Sequence, residues 1–267
     1  MASRTKQKEE ARARRQAEEQ ARAEKARRER RLRMGGGVAL LAVAIVAVAI
    51  AISSGGGGNK TVNPNSSAGK QAATTVNGLL AGIPQSGMTL GSPSAKVTLT
   101  EYGDLQCPVC QTLALGAENQ LIQNEVRSGK AKLVFRSLET ASQSSPVPNA
   151  FQNQQIAAYA AGMQGRGWYY VELFYHQQGQ EGTGYATEAY LDNLARQIPG
   201  LNYSTWLTDR KNPSLLAQLQ ADQQAASVKG LNSTPSVVVT GPKGTSQPLV
   251  GPLGYSAYQQ AISTVGG

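Results

Sequence analysis

The stretch GSPSAKVTLTEYGDLQCPVC, residues 91–110, decides how this chain is read. Gly91-Ser92-Pro93 is a turn signal. After it, Lys96–Tyr102 (KVTLTEY) is β-branched and alternates apolar with polar residues, which predicts a strand. Cys107-Pro108-Val109-Cys110 then opens a segment in which Leu113, Leu115, Leu121 and Val126 recur at helical spacing. Pro108 suits a first helical turn, where its missing N–H would have no partner in any case. A second strand is predicted at Ala131–Leu138 (AKLVFRSL), so strand, helix and strand form a βαβ unit.

Further along, residues from about 145 to 228 read as helices: FQNQQIAAYAAGMQ, WYYVELFYHQQ, TEAYLDNLARQI and NPSLLAQLQADQQAASVKG are separated by Gly and Pro breaks. Strand character returns at Ser236–Thr240 (SVVVT) and around Gln247–Val250, and Tyr255–Val265 offers a last helix. The expectation is an α/β domain in which a helical block is inserted between two halves of a small sheet.

The chain holds 2 cysteines and 1 histidine in 267 residues. Two cysteines are too few for a disulfide-stapled scaffold, and with one distant histidine they cannot complete a zinc site, so no metal is expected. A redox pair is what remains. The CxxC spacing places Cys107 at a helix start and Cys110 one turn inside, within bridging distance. Free N–H groups and the positive end of the helix dipole favour a thiolate at Cys107, leaving Cys110 as the resolving thiol. A structural disulfide is the competing reading of the pair.

Other chemistries find little support. No phosphate-binding Gly-rich loop, HExxH or GxSxG pattern occurs, and no organic cofactor is implied. His176 lies in an aromatic run with Trp168, Tyr169, Phe174 and Tyr175, whose ordinary role is packing. Asp104 falls in the turn before the cysteines and is expected to be solvated.

The excess of positive charge belongs to one end of the chain. Residues 1–33 carry 13 of the 26 Lys and Arg and 6 of the 17 Asp and Glu. That is +7 locally, leaving only +2 for the rest, so no nucleic-acid groove is expected in the folded part. Residues 34–52 form a 19-residue stretch without a charge, which at 1.5 Å per residue would span roughly 28 Å. With basic residues before it and almost none directly after, it is expected to be a transmembrane helix, with residues 1–33 a cytoplasmic tail and everything beyond extracytoplasmic. A cleaved signal peptide is the alternative. Residues 53–75, rich in Gly, Ser and Asn, are expected to be a flexible linker, and the folded domain to occupy residues 76–267.

The lead-in GSPSAKVTLTEYGDLQCPVC, the helical insertion and LNSTPSVVV together resemble the DsbA family of thioredoxin-fold thiol-disulfide oxidoreductases, in its membrane-anchored bacterial form, over roughly residues 80–265. The resemblance implies that Thr234-Pro235 is a cis-proline turn facing the cysteines. With Pro108 and Val109 these residues would contact substrate. It also implies an acidic group beneath the pair, at Glu101; strand alternation leaves open whether that side chain is buried, where it would exchange a proton with Cys110, or solvated. Strongly oxidising members of the family carry a histidine where this chain has Val109, so a milder oxidant is implied. The partners implied are extracytoplasmic protein thiols or disulfides and a membrane redox partner that recycles the pair. Two rival readings stay open: a reductase or isomerase of the same fold, and a non-catalytic membrane-tethered domain that binds peptides.

Overall fold

The computed structural model describes residues 66–266. The first element, α1 (Ser67–Leu80), is capped by Ser66, whose hydroxyl accepts from the Gly69 N–H at 3.1 Å. It buries Ala72, Val76, Leu79 and Leu80, and its last carbonyls are held by Arg127, which donates to Leu79 and Ala81 at 2.7 and 3.0 Å. This corrects the flexible linker expected over residues 53–75: its last nine residues are helical. Within those nine residues only the small Gly69 and Ala72 are buried, so no strong apolar signal marks them.

A short hairpin follows, β1 (Gln85–Ser86) with β2 (Thr89–Leu90), and then β3 (Val97–Gly103). The helix after β3 begins as α2 (Pro108–Leu113), widens into a π-helical turn at Ala114–Glu118, tightens in α3 (Asn119–Leu121) and widens again at Ile122–Val126. β4 (Ala131–Ser137) runs parallel to β3. The inserted helices are α4 (Ala150–Met163), α5 (Gly167–His176), α6 (Glu188–Arg196), α7 (Tyr203–Asp209) and α8 (Pro213–Val228). β5 (Ser236–Gly241), β6 (Gly244–Thr245), β7 (Leu249–Val250) and α9 (Tyr255–Gly266) complete the chain.

The sheet has the order β1-β2-β4-β3-β5-β6, with β7 also paired to β5. β3 is therefore central, parallel to β4 and antiparallel to β5, and Glu101 is in register with Phe135 on one side and Val237 on the other. This is the α/β thioredoxin fold with a helical insertion between β4 and β5.

α5 explains the aromatic run. It is buried on every side: the Trp168 indole donates to the Met88 carbonyl at 2.9 Å and meets Phe135 edge to face, while Phe174 packs against Tyr185 and Tyr190 of the insertion. The opposite face of the sheet is closed by α8. There Asp222 accepts from Arg136 at 2.9 Å, from the Ser137 N–H at 3.1 Å and from the Tyr159 hydroxyl at 2.7 Å.

The expected fold class included a transmembrane helix, and this is corrected. Among the described residues no helix is long and apolar enough to cross a membrane. The longest of them, α8, has 16 residues and carries polar side chains along its length, whereas a crossing needs about 20 apolar ones. The stretch expected to span, residues 34–52, and the basic tail before it lie outside the described residues.

Candidate active site

β3 delivers the chain to the site and α2 starts it. Cys107 is the N-cap residue, with extended backbone (φ −75°, ψ 119°), and Pro108 occupies the first turn. Cys110 lies one turn in, fully buried, while Pro108 and Val109 are exposed between the two thiols. The Gln111 N–H donates to the Cys107 carbonyl at 3.1 Å, closing the first helical turn.

The two thiols differ by position. Hydrogen bonding from Cys110 first, then from Thr234 and from the backbone N–H groups of Cys110 and Val109, favours the Cys107 thiolate and brings its pKa down to about 6 against the opposing effect of burial. Burial in turn pushes the Cys110 thiol well above the ordinary range, and the neighbouring Cys107 and Glu101 add to this. One sulfur is set up as a leaving group and nucleophile, and the other stays protonated.

The loop before β5 faces the pair. The Thr234–Pro235 peptide is cis, and the Thr234 carbonyl oxygen lies 3.7 Å from the Cys107 sulfur. Thr140, in the loop after β4, places its hydroxyl oxygen 2.6 Å from that of Thr234. From the insertion, Gln178 donates to the carbonyls of Leu105 and Cys107 at 2.7 and 3.1 Å, and Gln111 donates to the Tyr175 carbonyl at 2.7 Å. The start of α2 is thus held by both the sheet and the inserted helices.

Glu101 is buried, on the inner face of β3 beneath the cysteines. Desolvation first, then Glu118 and Cys107, push its carboxyl pKa well above the usual range, which favours its protonated form. The expectation of a solvated Asp104 is corrected. It is fully buried, and its carboxylate accepts from the N–H groups of Gln106, Thr140 and Ser142 at 3.0, 2.9 and 2.9 Å, from the Ser142 hydroxyl, and from the Gln154 amide at 3.0 Å. A turn whose N–H groups all point inward can hold a buried carboxylate without a cation.

Sequence reasoning missed Thr140, Gln178, Glu118 and Glu172. Thr140 and Gln178 are 33 and 71 residues from Cys107, and nothing local distinguishes them. Glu118 and Glu172 are glutamates in helices that read as solvated face residues, yet both are buried. Among the described residues no group of three or more His, Cys, Asp or Glu is arranged to hold a metal ion.

A central strand leading to a CxxC pair at a helix start, with a cis-proline opposite, defines a thioredoxin-type dithiol–disulfide site. The family model described as Thioredoxin matches residues 84–262. The chain belongs to that family. A "probable disulfide bond formation protein D" of Bacillus anthracis is 24% identical over 154 residues, covering 57% of this chain and 69% of that protein. Among solved structures, oxidised BdbD of Bacillus subtilis is similar with a TM-score of 0.57 at 17% identity, over 69% of this chain and 96% of that one. DsbA2 of Pseudomonas aeruginosa gives 0.51 at 23% identity, over 68% and 95%. These two likenesses are of fold. The chain is an enzyme of the thiol-disulfide oxidoreductase kind.

Proposed function

We propose that this protein oxidises dithiols of substrate proteins outside the cytoplasm. A substrate thiolate attacks Cys107 of the Cys107–Cys110 disulfide and releases Cys110 as a thiolate, which takes a proton from Glu101. A second substrate thiolate then attacks the mixed disulfide and releases Cys107. The substrate loses two electrons to the cysteine pair, and a separate redox partner returns the pair to the disulfide. In this reading the exposed Pro108 and Val109 and the half-buried Thr234 meet the substrate, with Pro235 buried behind Thr234.

The observation that carries this direction is the stabilised thiolate at Cys107. Whatever stabilises the reduced form makes the disulfide a better electron acceptor. Support for a site of action outside the cytoplasm comes from the charge asymmetry of the sequence and from the likeness to a disulfide bond formation protein.

The test is equilibration of the full-length chain with glutathione, together with Cys110→Ser to trap the mixed disulfide. The expected outcome is a trapped substrate adduct at Cys107 and a potential clearly less negative than the about −270 mV of a reducing thioredoxin. A potential at or below that value would favour the reductase reading. A Cys107 pKa near about 8.5 with no adduct would leave only peptide binding.

A further inference from the structure

Glu101 can give Cys110 a proton, but it is itself sealed from water. Its proton has to be replaced through the protein. Both carboxyl oxygens of Glu101, one of Glu118 and both of Glu172 are buried without a conventional donor, and Glu118 interacts through its carboxyl with both Glu101 and Glu172. Three buried carboxylates without a cation can coexist only by sharing protons.

Their placement is ordered. Glu101 lies beneath the cysteines on β3, Glu118 ends the first π-helical turn of the active-site helix, and Glu172 lies on α5. Ala117 and Glu118 continue the buried face of this helix set by Cys110, Leu113 and Ala114, so both point inward. At the far end, His176 Nδ1 is 3.7 Å from Glu172 Oε2 and 2.9 Å from the Glu172 carbonyl oxygen, and its side chain is 13% exposed. The imidazole is the first member of the series in contact with solvent, and a ring with two nitrogens can take a proton on one and give it from the other.

We propose that Glu118, Glu172 and His176 form a proton relay that connects Glu101, and through it Cys110, to solvent. These are positioning residues for the exchange reaction, and the proposal rests on the oxidoreductase reading above. When substrate attack releases the Cys110 thiolate, Glu101 protonates it, Glu118 reprotonates Glu101, Glu172 reprotonates Glu118, and His176 passes one proton in from water. Reoxidation of the pair runs the same path outward. The other titratable groups facing the carboxyls are Cys107 and Cys110 from α2, Tyr175 from α5 and Tyr258 from α9. Both tyrosines have raised pKa values and stay neutral across the working range. Desolvation raises Glu118 and Glu172 to about 8, so they hold protons to give at neutral pH, and burial lowers His176, which keeps the ring neutral and able to accept.

The test is the pH dependence of active-site reduction by a dithiol peptide, in single turnover, on the full chain as wild type, Glu172→Gln and His176→Gln. Amide substitution interrupts proton passage while keeping volume. Each variant is expected to slow release of Cys110 by about tenfold at pH 7, below the 10²–10⁴ typical of a direct acid. Glu172→Gln should also reduce the inflection near pH 8, leaving the part due to Glu118. Added imidazole should restore His176→Gln, and alkylation of reduced Cys107, which needs no proton at Cys110, should stay unchanged in both. Variants with wild-type pH profiles and normal mixed-disulfide formation would overturn the relay alone; absence of any mixed disulfide in the wild type would overturn the oxidoreductase reading beneath it. A measurement independent of variants is the infrared difference between oxidised and reduced wild type. It should show protonated carboxyl bands changing for more than one acid, and a change confined to one acid would also overturn the relay.

Discussion

The hydroxyl oxygens of Thr140 and Thr234 lie 2.6 Å apart, joining the loop after β4 to the turn that faces Cys107. A hydroxyl that accepts from Thr140 has its own proton free, and the Thr234 hydroxyl is one of the groups that lower the Cys107 pKa. A hydrogen bond to a charged group is worth about 1.5–3 kcal/mol, and one pKa unit corresponds to about 1.4 kcal/mol. Thr234→Val is therefore expected to raise the Cys107 pKa by about one unit, and Thr140→Val by less, because it disturbs only the orientation of the donor. Alkylation rate against pH measures both; equal pKa values in the wild type and Thr234→Val would remove Thr234 from the thiolate's support.

Val109 is the exposed residue between the thiols and is 39% accessible. It contributes no charge, so the Cys107 thiolate depends on hydrogen bonds and on the helix terminus. Val109→His adds an imidazole that favours the thiolate when protonated. Its potential should become less negative by roughly 30 mV, the equivalent of about 1.4 kcal/mol, with a larger effect below pH 6.5 than above it. Equilibration with glutathione at two pH values distinguishes this from a neutral packing effect, which would be independent of pH.

The sequence made the frame of the domain legible because its signals are local. β-branched alternation marks β3, CPVC marks the helix start, and Gly and Pro breaks mark the insertion. The hairpin β1–β2 and helix α1 were not legible. Two-residue strands have no periodicity, and the first half of α1 buries only the small residues Gly69 and Ala72. At the site, Cys107 and Cys110 were read from residue type and spacing, and Pro235 only from the family resemblance. Asp104 was misread because burial of a carboxylate is decided by five donors, four of them contributed by residues 140–154. Glu118 was hidden by its residue type: its spacing from Ala114, Leu121 and Ile122 puts it on the inner face of the helix, but a glutamate there is ordinarily solvated.

That Asp104 network predicts a stability effect larger than its surface-like sequence context suggests. Asp104→Ala leaves the Gln106, Thr140 and Ser142 N–H groups and the Gln154 amide without their acceptor. A buried donor deprived of its partner costs about 1–3 kcal/mol, and relaxation lets some of the four reach water or one another. The expected loss is roughly 3–5 kcal/mol by urea denaturation of the oxidised chain, the scale for breaking a buried charged network. Asp104→Asn keeps an acceptor and should lose less.

Gly103 offers a steric test at the end of β3. A Cβ there would lie 2.7 Å from Phe135 Cε2, 3.1 Å from the Tyr175 hydroxyl and 3.2 Å from Glu101 Oε1. The Phe135 ring is buried and cannot withdraw freely, so Gly103→Ala is expected to cost about 1–3 kcal/mol through overpacking. It should also disturb Glu101, seen as an altered pH dependence of exchange; a variant as stable and as active as the wild type would mean the core opens more easily than its packing indicates.

The pH dependence of stability separates the thiol from the carboxyls because their signs are opposite. Cys107 has a pKa of about 6 in the folded reduced form against 9.0 for an ordinary cysteine, so between these values the unfolded chain binds the extra proton and stability rises with pH. That contribution is fully present above pH 9 and is lost as pH falls through 6, with an upper bound of roughly 4 kcal/mol. Glu118 and Glu172 are raised to about 8 from 4.5, so there the folded chain binds more protons and their contribution falls as pH rises from 4.5 to 8. Only the reduced protein has a titrating Cys107. The stability of the reduced form minus that of the oxidised form should therefore climb between pH 6 and 9, with a slope of at most about 1.4 kcal/mol per unit. Glu172→Gln should leave this difference intact and flatten the decline of the oxidised form below pH 8. Urea denaturation of both redox forms across the range gives the two slopes separately, and a reduced-minus-oxidised difference that does not change with pH would show that Cys107 titrates as an ordinary thiol.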